Sequence, residues 1–362
     1  MQHIAARCRD LQGQMLEWSS GHRAPDRALY DGTVRSLVRR YQLDPESPYH
    51  DLRPRSRAFY DYGLGLLDKH VGESDLSEVS GPDVRRWYKK LKEPAKDGGP
   101  ERVRRAYGAI QMLRVIVNYG RTLKLAECRD LADALSAMEF KGVQRRESRM
   151  TYAQVRAFRE HAHSLGRPSM ALGITLQFDL GMRQRDVIGE WLPDATPGDS
   201  GIVAEGMRWA DGLTFSHITG TVLRKRTSKT GKVVEHDLAQ LPDTLAEMEH
   251  IPALKRIGPL VVNEETGLPY KRRVYVKWFR TIARAAGIPD EVWSMDARAG
   301  AVTEALDARA MPLDVMNAAG HTQLSTTQGY DRSMVQKTAR VAKLRVASRK
   351  NEAENADMGA GI

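Results

Sequence analysis

Apolar residues recur at every third or fourth position along one stretch of the chain, and no other feature constrains the fold as strongly. The residues in this series are Val103, Ala106, Tyr107, Ile110, Leu113 and Val117. Their spacing places all of them on one face of an α-helix. A long helix with one apolar face has to pack against other elements, so the stretch predicts a small helical domain.

Three further stretches supply helical partners for this long helix. They lie near residues 55–70, 82–92 and 127–138. Pro82 and Asp83, in the first turn after Ser80, are typical of a helix amino terminus. Residues 51–140 are therefore predicted to form the helical domain, and residues 1–50 are expected to be an arm or an extra packing helix.

A polar segment at 141–150 is predicted to link this domain to a second one at 151–350. Thr151 and Gln154 form the pattern of a capping box at the start of that domain. Further helices are predicted at 169–180, 272–286, 296–308 and 312–319. Strands are predicted at 221–226 and 233–238, with 260–263 as a candidate third. The fold class is thus mainly α with a small β-sheet, and residues 351–362 are expected to be a disordered tail.

The charge of the chain narrows the choice of partner. Its 362 residues carry a formal net charge of +10 at pH 7, which favours a polyanion, either nucleic acid or an anionic membrane surface. No apolar run approaches the roughly 20 residues of a membrane-spanning helix, and the amino terminus lacks the apolar stretch of a secretory signal. Cys8 and Cys128 are far apart in sequence, so neither a disulfide framework nor a cysteine-rich zinc site is expected. Nucleic acid in a reducing cytoplasm fits these features better than a membrane.

Four short motifs follow one another across the second domain. They are Leu180–Asp186, Ser228–Gly231, Asp296–Arg298 and Gly320–Tyr330. In this order they resemble the active-site motifs of the tyrosine recombinases, the phage-integrase family. The resemblance implies a helical core-binding domain followed by a mixed α/β catalytic domain, and it is strongest from residue 170 to residue 335.

The resemblance also implies a role for particular side chains in these motifs. Arg183 and Arg298 are expected to bind the non-bridging oxygens of a DNA phosphate, because a guanidinium is planar, permanently charged and donates two hydrogen bonds at once. His321 is expected to donate a hydrogen bond to the same oxygens.

A lysine and a tyrosine complete the expected chemistry. Lys229, in the predicted hairpin turn, would protonate the departing 5′-oxygen, with Lys232 as a less favoured alternative. Tyr330 would attack the phosphorus and form a 3′-phosphotyrosine. Because that linkage conserves a phosphoester bond, rejoining needs no ATP, and no cofactor or metal is expected.

Each of these residues has a simpler interpretation when it is taken alone. Tyr330 could be a half-buried packing residue, and Arg183 could form a surface ion pair with Asp186. Lys229 could be solvated in its turn, and His321 could follow a helix-terminating glycine. The order of all four motifs favours the catalytic interpretation.

One position departs from the family pattern. The second arginine of the family follows a histidine by three residues, and in this chain that position is Met295. A thioether can neither accept the tyrosine proton nor donate usefully to a phosphate. Asp296 is the nearest alternative base, although a carboxylate beside a phosphate is electrostatically unfavourable. The departure leaves open whether catalysis is slowed, supported by another base or lost.

A basic face is predicted on the helix near residues 82–92. It consists of Arg85, Arg86, Lys89 and Lys90. Such a face is either simply solvated or in contact with DNA phosphates, and the net charge of the chain makes contact a credible function.

Two other patterns resemble parts of ligand sites. Glu160–His163 contains two histidines that resemble half a metal site, but no cysteine or carboxylate cluster in the sequence completes it, so an exposed helix end is expected. Thr230–Lys232 lacks the upstream glycine and the following helix of a phosphate-binding loop. Neither pattern predicts a metal or a nucleotide.

Together with the resemblance, these features predict a site-specific recombinase that integrates or excises a phage or another mobile element. Its expected partners are double-stranded DNA attachment sites, three further copies of itself in a homotetramer on synapsed DNA, and DNA-bending or directionality accessory proteins. A bacterial or phage-encoded protein of the cytoplasm is expected. Two alternatives stay open, a catalytically impaired sequence-specific DNA-binding protein and a type IB topoisomerase-like enzyme that acts as a monomer.

Overall fold

A computed structural model shows the chain as two compact units, Met1–Arg145 and Arg146–Ile362. The structure describes residues 30–144, 146–194 and 201–330, and in addition residues 12, 15, 338–339 and 341–347. The tail expected at 351–362 lies outside the described residues, and so do nearly all of residues 1–29 in the arm or extra helix expected at 1–50.

The first unit is helical around one central helix. Its helices are α1 (Val34–Leu43), α2 (Pro54–Val71), α3 (Gly81–Lys92), α4 (Val103–Thr122) and α5 (Ala126–Ser136). Helix α4 contacts the other four, and its residues Ile110, Leu113 and Val117 are fully buried. The apolar series therefore forms the face that was predicted, and it is the centre of this unit's core.

Helix α1 belongs to the same core. The Thr33 side chain accepts a hydrogen bond from the Ser36 amide and caps the helix, and Val34 and Leu37 are fully buried. Helices α4 and α5 approach closely because Gly120 has no side chain. A Cβ at that position would lie 2.4 Å from Cys128 Sγ.

The amino terminus of α3 has the expected capping chemistry. Ser80 is the N-cap residue, and the Asp83 carboxylate accepts a hydrogen bond from the Ser80 amide at 3.0 Å. Val84 and Leu91 are buried in the core of the unit. The opposite side of the helix, which carries the basic residues, is consequently exposed.

The second unit combines helices with two small antiparallel sheets. Its helices are α6 (Tyr152–Ser164), α7 (Pro168–Asp179), α8 (Gln184–Ile188), α9 (Pro242–Glu249), α10 (Arg272–Ala285), α11 (Asp296–Asp307), α12 (Pro312–Ala318) and α13 (Leu324–Gln328). Its strands are β1 (Glu190–Pro193), β2 (Val203–Ala204), β3 (Met207–Ala210), β4 (Ile218–Thr219), β5 (Val222–Arg226) and β6 (Val233–Asp237). The strand orders are β1-β3-β2 and β4-β5-β6. The prediction of a mainly helical fold with a small β component is confirmed.

The two sheets differ in how well the sequence predicted them. The β5–β6 hairpin matches the two predicted strands, and Lys225 pairs with Val234 in its register. The candidate strand at 260–263 was wrong, because the segment contains one isolated bridge, at Val262, and the preceding Pro259 makes another, rather than a ladder. Leu260 and Val261 are buried in the core as part of a loop.

Helix α7 forms the middle of the second core. Nearly all of its residues are buried, and it packs against α6, α9 and α11. A helix that is apolar all round is expected in such a position. No helix in the described part of the chain is both long and apolar enough to cross a membrane. The carboxyl end of α7 leads directly to the first motif arginine.

Candidate active site

Arg183 is positioned by the turn that follows α7. Gly181 has a φ of +56°, a conformation that favours glycine, and Arg183 then serves as the N-cap residue of α8. Arg183 Nη1 lies 3.6 Å from Oδ2 of Asp186, whose side chain is almost completely buried. The simpler interpretation of this pair, a surface ion pair, does not describe it, because the carboxylate is inside the protein.

Arg298 lies in the first turn of α11 and is 3% exposed. Its Nη1 donates a hydrogen bond to the Gly181 carbonyl at 2.8 Å. Its Nε and Nη2 have no hydrogen-bond partner among the described residues. Burial, and next the charge of Arg183, lower the pKa of Arg298 to about 10. The guanidinium is therefore charged at neutral pH and holds donors ready for an anion.

His321 and Tyr330 lie against each other. Their ring centroids are 5.1 Å apart and their planes differ by 9°. His321 is 1% exposed, its Nδ1 lies 2.9 Å from Thr327 Oγ1, and its Nε2 has no partner among the described residues. Arg298 Cζ is 5.5 Å from the centre of the Tyr330 ring. Arg183, Arg298, His321 and Tyr330 thus meet in one place.

Burial is the main cause of an unusually low pKa for His321. The positive charges of Arg298, Arg183 and Lys232 lower it further, to about 3. The imidazole is consequently neutral at physiological pH. A neutral ring with Nδ1 accepting from Thr327 carries its proton on Nε2, the atom that lacks a protein partner.

Lys229 is exposed in the turn between β5 and β6, and no hydrogen bond or ion pair in the described part of the chain joins it to the other four residues. The residue before it is held in place, however, because the Ser228 amide donates a hydrogen bond to Asp186 Oδ1 at 2.7 Å. Lys232, the less favoured alternative, lies closer to the site. Its Nζ donates to the His321 carbonyl at 3.1 Å and to Asn317 Oδ1 at 2.9 Å.

Met295 is 46% exposed at the amino terminus of α11. The neighbouring Asp296 is already committed to other partners, because its Oδ2 accepts from Arg146 at 2.6 Å and from the Trp293 amide at 2.8 Å. Both of these hydrogen bonds direct the carboxylate towards its own surroundings and away from the role of accepting the tyrosine proton. The structure therefore argues against Asp296 as the substitute for the missing histidine.

The basic face of α3 is exposed at all four of its positions, Arg85, Arg86, Lys89 and Lys90. Arg86 forms an ion pair with Asp83 in the first turn of the helix. For the other three, the described residues provide no carboxylate within ion-pair distance. Their charge is available to an external anion.

Two groups of contacts in the second unit were not predicted from the sequence. Asp186 was expected only as an ion-pair partner, and it connects Arg183 with the hairpin that carries Lys229. An exposed helix end was expected at Glu160–His163, and His163 lies beside Glu247 and His250. Those residues are more than eighty positions away in sequence, so no local pattern could have shown them.

Comparison with known proteins gives support at the level of the fold. No protein-family model matches the chain, and a search of the curated proteins also finds no match. Among solved structures, the lambda integrase tetramer bound to a Holliday junction matches with a TM-score of 0.61 and 15% sequence identity, covering 90% of this chain and 86% of that one. A lambda integrase dimer bound to a COC′ core site gives 0.60 and 15%, covering 83% and 78%. The Tn1549 transposon integrase in complex with transposon right end DNA gives 0.58 and 12%, covering 87% and 99%. The chain therefore has the tyrosine-recombinase fold of these integrases.

Proposed function

We propose that this chain is a site-specific DNA recombinase in which Tyr330 cleaves and rejoins DNA through a 3′-phosphotyrosine. The observation that carries the proposal is the buried guanidinium of Arg298. It retains two hydrogen-bond donors without partners in the described part of the chain, and it lies beside Arg183, His321 and Tyr330. Two neighbouring arginines repel each other, and a phosphate between them would relieve that repulsion.

The side chains divide the cleavage step among them. Tyr330 Oη attacks the phosphorus, the bond from phosphorus to the 5′-oxygen breaks, and the phenolic proton passes to solvent. Arg183 and Arg298 stabilise the charge that develops on the non-bridging oxygens, and His321 donates to them from Nε2. Lys229 gives the departing 5′-oxygen a proton. Attack by a 5′-hydroxyl on the phosphotyrosine reverses every step and joins the strands.

The position of Lys229 supports this role through its exposure. A lysine at a hairpin tip has the freedom to follow a leaving oxygen, and the Ser228–Asp186 hydrogen bond keeps the root of that hairpin beside Arg183. Lys232 has a different role in this scheme. Its contacts with His321 and Asn317 hold the segment that carries the histidine.

The proposed substrate is double-stranded DNA with attachment sites. The net charge of +10 and the exposed basic face of α3 favour it, and the lambda and Tn1549 integrases of the same fold are bound to DNA. One of those structures is a tetramer on a Holliday junction, which supports a homotetramer for this chain also. We also propose that the protein integrates or excises a mobile element and that accessory proteins assist it. Its proposed location is the cytoplasm.

The decisive experiment uses a nicked duplex in which cleavage releases a short strand and traps the covalent adduct. Substrates are made from the DNA that flanks the coding gene, and adducts are separated on denaturing gels. The wild-type protein should form an adduct, Tyr330→Phe should form none, and both should bind the duplex within a few-fold of each other. Tyr62→Phe, at an exposed tyrosine of the first unit, is the matched control.

Other outcomes of this experiment lead to the alternative functions. Specific binding without any adduct would identify a catalytically impaired DNA-binding protein. This alternative is favoured by Met295, an exposed residue that stands where the family pattern has a histidine. Adduct formation with relaxation of supercoils by a monomer, and no strand exchange, would identify a topoisomerase-like enzyme. An adduct that persists in Tyr330→Phe would exclude Tyr330 as the nucleophile.

A further inference from the structure

Three side chains with metal-binding atoms meet at the surface of the second unit, on helices that carry none of the proposed catalytic residues. His163 lies in the last turn of α6, Glu247 lies in α9, and His250 directly follows α9. One ligand atom from each lies within 4.8 Å of the other two. The expectation of an exposed helix end at Glu160–His163 is therefore incomplete, because Glu247 of α9 and the following His250 lie beside it.

The backbone explains why these groups converge. Glu247 and His250 are three positions apart, so they lie on the same side of α9 and its carboxyl end. Helix α6 brings His163 to that side, with its Nε2 2.8 Å from Glu247 Oε2. The rings of His163 and His250 are 4.5 Å apart between centroids. All three side chains thus point to one small volume.

The carboxylate is held in a fixed orientation by a second contact. Glu247 is 3% exposed, and its Oε1 accepts from Arg159 Nε at 2.6 Å, which directs Oε2 towards the histidines. Arg159 also pairs with Asp243 at 2.7 Å. Ligands of metal ions are commonly oriented by outer hydrogen bonds of this kind.

Two carboxylates share one guanidinium beside this place. Arg159 Nη1 lies 2.7 Å from Asp243 Oδ1, and Arg159 Nε lies 2.6 Å from Glu247 Oε1. Glu247 Oε2 is therefore left to face the histidines, where it could bind a cation together with them.

We propose that His163, Glu247 and His250 bind one divalent transition-metal ion, of which Zn²⁺ is the best fit. Two imidazole nitrogens and one carboxylate oxygen suit Zn²⁺ and its neighbours Co²⁺, Ni²⁺ and Cu²⁺, and they do not suit Mg²⁺. Ligand atoms of a tetrahedral zinc ion lie about 3.4 Å from one another. The three ligand atoms here lie within 4.8 Å of one another, so they would have to move by roughly 1 Å to bind the ion. The exposed His250 can supply most of that movement, and water would fill the fourth position.

The expected effect of the ion is structural. It would join the carboxyl ends of α6 and α9, and both helices pack against α7, which leads to Arg183. Binding to the folded state alone raises the melting temperature, by about 5 to 10 °C at a metal concentration one hundred times the Kd. This inference is independent of the proposed DNA chemistry, and its test needs no DNA.

The test uses the full chain without a histidine tag, treated with a chelator and then freed of it. Zn²⁺ binding is measured by calorimetry, and Co²⁺ is added separately because a tetrahedral cobalt site has intense visible absorption. One ion should bind per chain, the melting temperature should rise, and His163→Ala and His250→Ala should each lose both effects. His161→Ala is the matched control, since its ring contacts the Ala157 carbonyl of its own helix.

Several results would overturn the site. These are the absence of saturable binding by the wild type, an unchanged affinity in His163→Ala or His250→Ala, or an equal loss in His161→Ala. Circular dichroism of each variant without metal shows whether it is folded. His250→Ala changes an exposed side chain, so its result stands even if His163→Ala is destabilised.

Discussion

The imidazole of His321 lies nearly parallel to the ring of Tyr330, with 5.1 Å between the ring centroids. The contact restricts the orientation of the phenol, and Arg298 Cζ lies 5.5 Å from the centre of the same ring. It also keeps the imidazole away from water. The low pKa of His321 is a direct consequence of that enclosure and of the positive charges around it.

Stability should depend on pH through His321. Its pKa is near 6.5 in the unfolded chain and about 3 in the folded protein, so between these values the unfolded state binds more protons. The contribution of His321 to the free energy of unfolding is therefore fully present above about pH 6.5, and it is lost as the pH falls towards 3. The melting temperature should fall less between pH 7 and pH 4 in His321→Asn, which cannot titrate and keeps an acceptor for Thr327.

The control for that measurement is His161→Asn, at a partly exposed position of the same unit. Burial lowers the pKa of His236 and His217 as well, so some dependence on pH will remain in every variant. The difference between the two asparagine variants isolates His321. Identical slopes for both would show that His321 titrates normally.

Replacing Arg183 with lysine should slow cleavage by on the order of 10²-fold or more, because a point charge cannot supply two parallel donors to a phosphate. Arg185→Lys is the matched control, two positions away, where the side chain pairs with Asp211 at 2.6 Å. Single-turnover rates on the nicked duplex measure both. Near-native cleavage by Arg183→Lys would refute the need for paired donors.

The basic face of α3 should determine the salt dependence of DNA binding. Lys90→Ala removes a charge that has no carboxylate partner among the described residues, and it should lower the slope of log K against log salt by about 0.9 if one phosphate contact is lost. Lys92→Ala, on the same helix but paired with Glu101 at 2.9 Å, should change the slope less. An unchanged slope in Lys90→Ala would mean that this face is only solvated.

Restoring the histidine of the family pattern should accelerate cleavage. Met295→His adds an imidazole at a half-exposed position, where it should introduce a titration near pH 6 to 7 into the rate profile. Acid–base groups contribute about 10²- to 10⁴-fold when ideally placed, and we expect a smaller gain in a pocket that formed around a thioether. Met311→His, at another exposed methionine, controls for a nonspecific effect. Equal rates for both variants at every pH would show that proton transfer does not limit cleavage.

The sequence predicted the elements whose signals are local. The long helix α4 and the caps at Ser80 and Thr151 follow from spacing and hydrogen-bonding chemistry within a few residues. The hairpin between β2 and β3 was not predicted, because Glu205 stands where asparagine or aspartate usually marks such a turn. Glu205 and Gly206 both have positive φ, so the geometry is that of an ordinary tight turn.

Contacts between distant parts of the chain could not be predicted from the sequence. The order of the motifs indicated which residues to compare, but it could not show that Arg298 donates to the Gly181 carbonyl or that His321 lies on Tyr330. It also could not show that Arg146 donates a hydrogen bond to the Asp296 carboxylate. Each of these depends on side-chain directions that tertiary packing sets.

Asp186 divides its two carboxylate oxygens between the Ser228 amide and Arg183. Because one buried charge serves both, the hairpin and the guanidinium compete for it. If the amide hydrogen bond were broken, the carboxylate would attract Arg183 more strongly, and the guanidinium would attract a phosphate less. Such coupling is reciprocal, so a phosphate that holds Arg183 also favours the closed hairpin by the same factor. On the proposed function, a displacement of the hairpin that withdrew Lys229 from the DNA would therefore also weaken phosphate binding by Arg183.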